Sequence, residues 1–161
     1  MSDRLSESEE QAWRSWIMAT RKLYAHLGQE IQDEFGLPMG DYEILVRLSE
    51  GPDQRLRMSE LAKITLASRS RLTHQIDRME KAGLVRREAN PDDRRGLFAV
   101  LTDSGLRTLN EAAPFHVEGV RRNVFDILTP EELATVARVS EKVNRHLDGE
   151  LVPECGGRVD L

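Results

Sequence analysis

Hydrophobic positions recur along this chain at two different periods, and the switches between them mark its elements. Near the start, Trp13, Trp16, Ile17, Thr20, Leu23, Tyr24, Leu27 and Ile31 follow one another at three- and four-residue steps. This spacing puts one continuous stripe on a helix of about six or seven turns. Ser6, with Glu9 three residues later, supplies a capping box at its start, and Gly36 and Pro38 end it. A second helix is predicted over Asp41–Ser49, with Tyr42, Leu45 and Leu48 inward and Gly51-Pro52 as its stop. Arg57 to Ser59 open a short helix that runs through Ile64. After a brief turn, Ser68 caps a further helix reaching Ala82, with Gly83 just past its end. Leu72, Ile76 and Met79 share one face of that helix, while Ser70, Arg71, His74, Asp77 and Arg78 point the other way.

Beyond Gly83 the pattern changes. Leu84 to Glu88 and Leu97 to Leu101 are β-prone and flank a turn-rich, polar stretch from Ala89 to Gly96, which predicts a hairpin with a charged tip. Leu97 to Leu101 is apolar throughout, so part of the second strand's outer face must also be covered. Helical spacing returns after Thr102-Asp103-Ser104-Gly105, in Leu106, Leu109, Ala113, Val117 and Val120, with Pro114 inside the pattern and expected to kink it. Thr129-Pro130-Glu131-Glu132 combines an N-cap threonine, a proline at the first helical position and a closing glutamate. It opens a last helix with Leu133, Val136, Ala137, Val139, Val143 and Leu147, ending near Gly149. Residues 149–161 read as a flexible tail.

The implied fold is mainly α with a small β-hairpin: a winged helix-turn-helix core flanked by N- and C-terminal dimerisation helices. Residues 1–161 make a single domain, in which 41–102 form the winged core and 8–35 and 103–148 the dimerisation helices. The terminal stripes exceed what one small domain needs, so Trp13, Trp16, Leu23, Val136, Val139 and Val143 are candidates for burial against a second copy, about half of them being expected to pack within one subunit instead.

Charge sharpens this picture. The 161 residues carry a net −5, which argues against a nucleic-acid partner until its distribution is considered. From Arg57 to Arg95 there are ten basic residues against six acidic ones, a net +4, so the flanks together carry −9. A basic middle between acidic flanks fits a polyanion-binding module. The longest apolar run, Leu97–Leu101, is far short of the roughly 20 residues that cross a bilayer, and Met1 to Glu10 has no signal-peptide pattern. A cytoplasmic location is therefore expected, and a single cysteine, Cys155, fits a reducing compartment.

A short helix, a turn and a capped second helix present the second member to the DNA major groove, where each base pair shows a distinct donor and acceptor pattern. Ser68, Arg69, Ser70, Arg71, Thr73, His74 and Arg78 are the candidate DNA-binding residues of that helix. Arg69, Arg71 and His74 can donate to guanine edges or phosphates, and Ser70 and Thr73 are short enough for close approach. At the hairpin tip, Arg94 or Arg95 can enter a narrow minor groove.

Ser59-Glu60-Leu61-Ala62, Ser68 with Asp77-Arg78-Met79-Glu80, Gly83-Leu84-Val85, and Asp93-Arg94-Arg95 followed by Leu101-Thr102 and Gly105 resemble the winged-helix core of the multiple antibiotic resistance regulator (MarR) family. The resemblance implies a homodimeric transcriptional regulator, a ligand-relieved repressor on a roughly palindromic operator. It implies that Arg95 enters the minor groove, oriented by Asp93, and that Asp77 pairs with Arg94 or Arg95 to lock wing to recognition helix. Many family members release DNA on binding a small phenolic or aromatic acid, and Trp13, Trp16, Tyr42 and His116 are the candidate lining of such an effector pocket.

Other chemistry finds little footing. His26, His74, His116 and His146 are scattered without ligand spacing, so no metal site or cofactor is expected. Cys155 lies beside Glu154 in a glycine-rich tail, which does not activate a thiol. No catalytic motif is visible, so an enzyme is not expected. The rival reading is a winged-helix protein-interaction scaffold without sequence-specific DNA binding, against which Arg69, Arg71 and Arg78 speak.

Overall fold

Ser6 accepts a hydrogen bond from the Glu9 amide while the Glu9 carboxylate accepts from the Ser6 amide, and this closed capping box starts α1 (Glu7–Phe35). The structure, a computed structural model, describes residues 4–90 and 93–149, and the side chains of residues 93–95 lie outside the described set. α2 (Met39–Glu50) follows, then a short 3-10 turn (Pro52–Gln54), β1 (Arg55–Arg57), α3 (Met58–Ile64) and α4 (Arg69–Lys81). β2 (Val85–Asn90) and β3 (Asp93–Leu101) form the wing, and α5 (Asp103–Val120), a π-helical turn (Arg121–Phe125) and α6 (Pro130–Asp148) complete the chain. The expected tail and Cys155 lie outside the described residues.

The architecture is mainly helical, as the periodicity implies, but the sheet has three antiparallel strands in the order β1-β3-β2 rather than two. β1 was not anticipated. Three residues, Arg55, Leu56 and Arg57, with only Leu56 buried, are too few to show a period-two pattern. β1 pairs Arg57 with Phe98 and Arg55 with Val100 along the edge of β3. Both wing strands are longer than expected, since Asn90 pairs with Asp93 past an irregularity at Ala89/Asn90. Ala99, Val100 and Leu101 are all buried, so both faces at the end of β3 are covered.

One core serves every element from α1 to α5. Ile31, Ile44, Leu45, Leu48, Leu61, Leu72, Ile76, Met79 and Val85 are its largest fully buried side chains. α5 runs as a single helical element from Asp103 to Val120 with Pro114 inside it. Pro114 and Asn110, whose carbonyl loses its amide partner, both lie on the exposed face, where that oxygen is open to solvent. The irregular segment comes later, at the π-helical turn.

The joint between wing and α5 is tight. Thr102 caps α5 by accepting from the Gly105 amide at 3.0 Å, and its hydroxyl also lies within donating distance of the carbonyls of Gly83 (2.7 Å) and Leu84 (2.9 Å). A Cβ at Gly105 would stand 2.1 Å from the Leu84 carbonyl oxygen, so only glycine fits. Gly83 turns the chain out of α4 at φ +72°.

α6 stands apart. Its capping box at Thr129 and Glu132 forms as expected, yet none of its 19 residues is buried. Of the candidates for intersubunit burial, Leu23 packs against the core, whereas Trp13 (55%), Trp16 and Val136 (51%) are exposed.

Candidate nucleic-acid interface

Ser68 caps α4 by accepting from the Arg71 amide at 3.3 Å, and Leu72, Ile76 and Met79 hold the helix in the core. With that face fixed, Arg69, Ser70, Arg71, Thr73 and His74 are all exposed. The Thr73 hydroxyl is turned back to the Arg69 carbonyl at 2.8 Å. Arg69 and Arg71 have no carboxylate partner among the described residues, so this face keeps its positive charge.

Arg78 and Asp77 each carry an ion pair within the chain. The Arg78 guanidinium donates to Asp41, a carboxylate only 4% exposed in the first turn of α2, and Gln75 Nε2 donates to the same oxygen at 2.9 Å. Arg78 thus ties α4 to α2, while its side chain stays 60% exposed. Asp77 pairs with Arg87 on β2 at 2.7 Å, while the side chains of Arg94 and Arg95, the partners that the family resemblance implied, lie outside the described residues. β2 packs against α4, which brings Arg87 to the helix.

Arg87 is the hub of this contact. Its guanidinium donates to Glu80 at 2.8 Å, to Asp77 and to the Thr73 carbonyl at 3.1 Å, while its own amide donates to Glu80 at 2.8 Å. Sequence reasoning passed over Arg87, Glu80, Asp41 and Gln75 as structural ties. A signal for Arg87 existed, because period-two alternation puts it on the same strand face as buried Val85, and an arginine there needs internal partners.

Asp93, Arg94 and Arg95 begin β3 by backbone, and their side chains lie outside the described residues. Of the candidate effector pocket, the structure brings together Tyr42 and His116, whose rings lie 4.8 Å apart. Trp13 and Trp16 remain exposed on the first half of α1, about two turns or more before it enters the core near Leu23. Burial lowers the pKa of His116, an effect that Glu30 opposes, and raises that of Tyr42, so both rings favour their neutral forms. Two clefts flank α4 instead. One, about 390 Å³, is lined by Tyr24, Glu43, Leu66, Arg71, Gln75 and Arg78 among others; the second, about 400 Å³, lies between α4 and the wing.

A helix-turn-helix whose second helix offers uncompensated cations, braced by a β-wing, defines a winged helix-turn-helix protein. A model of the MarR family matches residues 37–97. AbsC, a MarR family transcriptional regulator from Streptomyces coelicolor, is 49% identical and superposes with a TM-score of 0.86, covering 92% of this chain and 100% of AbsC. Sco3205, a MarR family transcriptional regulator from the same organism solved in complex with DNA, is 45% identical with a TM-score of 0.87, covering 91% and 92% of the two chains. The HTH-type transcriptional regulator MhqR of Bacillus subtilis (strain 168) is 31% identical over 125 residues, 78% of this chain and 83% of MhqR. The chain belongs to the MarR family, a family of transcriptional regulators rather than enzymes. No described helix is long and apolar enough to cross a membrane.

Proposed function

We propose that this chain is a cytoplasmic, sequence-specific DNA-binding repressor that acts as a homodimer on a roughly palindromic operator and is relieved by a small aromatic or phenolic ligand. The observation that carries this reading is the sorting of arginines on and around α4. Arg87 is spent on two carboxylates and Arg78, though 60% exposed, is tied to Asp41, so both brace the helix, whereas Arg69 and Arg71 have no carboxylate partner among the described residues and stay on its exposed face. A scaffold that docks protein has no evident use for that separation, but a reader of base edges and phosphates does.

Dimerisation is supported by α6, which its own chain leaves without a buried residue, and by exposed Trp13, Trp16, Phe125 and Ile127. One reading helix contacts only a few base pairs, so two must be held about 34 Å apart to read a palindrome. Relief by a ligand is supported by the 390 Å³ cleft, because Arg71 lines it and also belongs to the reading face. An occupant with an acidic group would compete with DNA for that guanidinium.

The test is selection of bound fragments from genomic DNA followed by mobility-shift titration of the recovered site. Wild type should bind it far more tightly than random duplex, and Arg71→Ala should cost about 1–3 kcal/mol of that preference. Equal binding of selected and random duplexes, or a monomer by sedimentation, would refute the proposal.

A further inference from the structure

Among the arginines whose side chains are described, four outside the reading face surround the wing, and three of them are paired with carboxylates. Arg55 pairs with Asp53 at 3.3 Å and with Glu88 at 3.9 Å. Arg86 pairs with Glu88, and Arg87 with Asp77 and Glu80. Arg57 is different. It ends β1, is exposed, and has no carboxylate partner among the described residues. Its described partner is the Phe98 ring opposite it on β3, with the guanidinium 5.9 Å from the ring centroid; Arg55 sits on the same ring at 5.1 Å. A ring that holds a guanidinium by its π-face orients it without cancelling its charge.

Arg57 also lines the 400 Å³ cleft between α4 and the wing, and Arg69, the first residue of α4, lines the same cleft. Two uncompensated guanidiniums therefore border one solvent-filled space, with the hydroxyl-bearing Ser59 and Thr73 beside them. Asp77 lines it too, and it shares the single Arg87 guanidinium with Glu80, so its charge is only partly offset there. Like charges around a common cleft repel, and neither guanidinium has a carboxylate partner among the described residues, so the arrangement favours an anion between them. Arg69 and Thr73 belong to the exposed face of α4, so the cleft opens beside the surface that reads bases.

We infer that Arg57 and Arg69 together hold a backbone phosphate of the bound duplex, at the wing-side flank of the recognition helix. This rests on the DNA-binding reading above and assigns its backbone contact: Arg71, on the other cleft, reads sequence, while Arg57 and Arg69 set position on the strand. A phosphate contact carries no base information, and each one releases condensed counterions.

The experiment measures dissociation constants of wild type, Arg57→Ala, Arg57→Lys and Arg69→Ala for the selected operator and for a random duplex, between about 50 and 200 mM salt. Arg57→Ala should weaken both duplexes by the same factor, about tenfold, leave their ratio unchanged and flatten the salt slope by about one per protomer. Arg57→Lys should recover most of the loss, because a point charge still serves a phosphate. Unchanged affinity for both duplexes would overturn the inference, as would a loss confined to the selected operator. Should Arg57→Ala fail to fold, Arg69→Ala carries the same test through an exposed helix residue. Failure of wild type to bind any duplex would instead refute the DNA-binding reading itself.

Discussion

Replacing Arg87 with methionine should cripple DNA binding even though Arg87 is not one of the residues proposed to touch DNA. The substitution keeps the side-chain stem and removes the guanidinium, whose side chain is only 19% exposed. Two ion pairs go, to Asp77 at 2.7 Å and to Glu80 at 2.8 Å, whose side chains are 45% and 38% exposed. At that exposure each is worth about 0.5–1 kcal/mol. The hydrogen bond to the Thr73 carbonyl, at 3.1 Å, adds about 1 kcal/mol. Together they amount to about 2–3 kcal/mol, which for a chain of this length lowers Tm by about 4–12 °C. The loss in affinity has a second source, because Asp77 and Glu80 would then face DNA as uncompensated carboxylates beside the reading helix.

Thermal unfolding by circular dichroism and anisotropy with labelled operator measure the two effects. Asp77→Ala supplies the sharper contrast. It removes a negative charge from the DNA-facing side, so simple charge counting expects tighter binding, whereas loss of the wing-to-helix clamp expects weaker binding. The double variant should show coupling of about 1 kcal/mol between the two positions. Tighter binding by Asp77→Ala, or an Arg87→Met protein that melts and binds like wild type, would refute the clamp.

Three further outcomes are expected. Gly105→Ala should destabilise the fold by about 2–4 kcal/mol, since its Cβ would overlap the Leu84 carbonyl and disturb the Thr102 cap, and a wild-type urea midpoint would contradict that packing. The folded pKa of His116 lies below the ordinary value of about 6.5, because burial disfavours the imidazolium and its Nδ1 has no hydrogen-bond partner among the described residues. Its unfolded state therefore binds the extra proton first, so stability is full above about pH 6.5 and falls as pH drops toward the lowered folded value. His116→Phe should flatten that part of the pH–stability curve, and an unchanged slope would remove His116 as its source. Val136→Glu, on the exposed face of α6, should turn the proposed dimer into a monomer in sedimentation and abolish operator binding while leaving the winged core folded; a persistent dimer would place the interface elsewhere.

Local signals in the chain proved sufficient for most elements. The boxes at Ser6–Glu9 and Thr129–Glu132, the cap at Ser68 and the glycines at positions 36 and 83 act within three or four residues, and each element edge they mark stands where expected within about two residues. The inward set of α4, Leu72, Ile76 and Met79, follows from the same helical period. The misses share a different character. β1 is a strand only because β3 offers it an edge, and Arg87 is a brace only because β2 packs beside α4.

Helix positions and the list of basic residues around the helix-turn-helix are thus readable from the amino-acid order, because propensity, capping and amphipathic period are properties of neighbours along the chain. Which of those basic residues remain charged toward solvent is not. Arg78 meets Asp41 from 37 positions away and Arg87 meets Asp77 across the wing, while Arg57, Arg69 and Arg71 meet no acid among the described residues. Charge cancellation falls off with distance in space, not along the chain, so the folded arrangement alone separates the arginines that brace the reading helix from those left free to meet a polyanion.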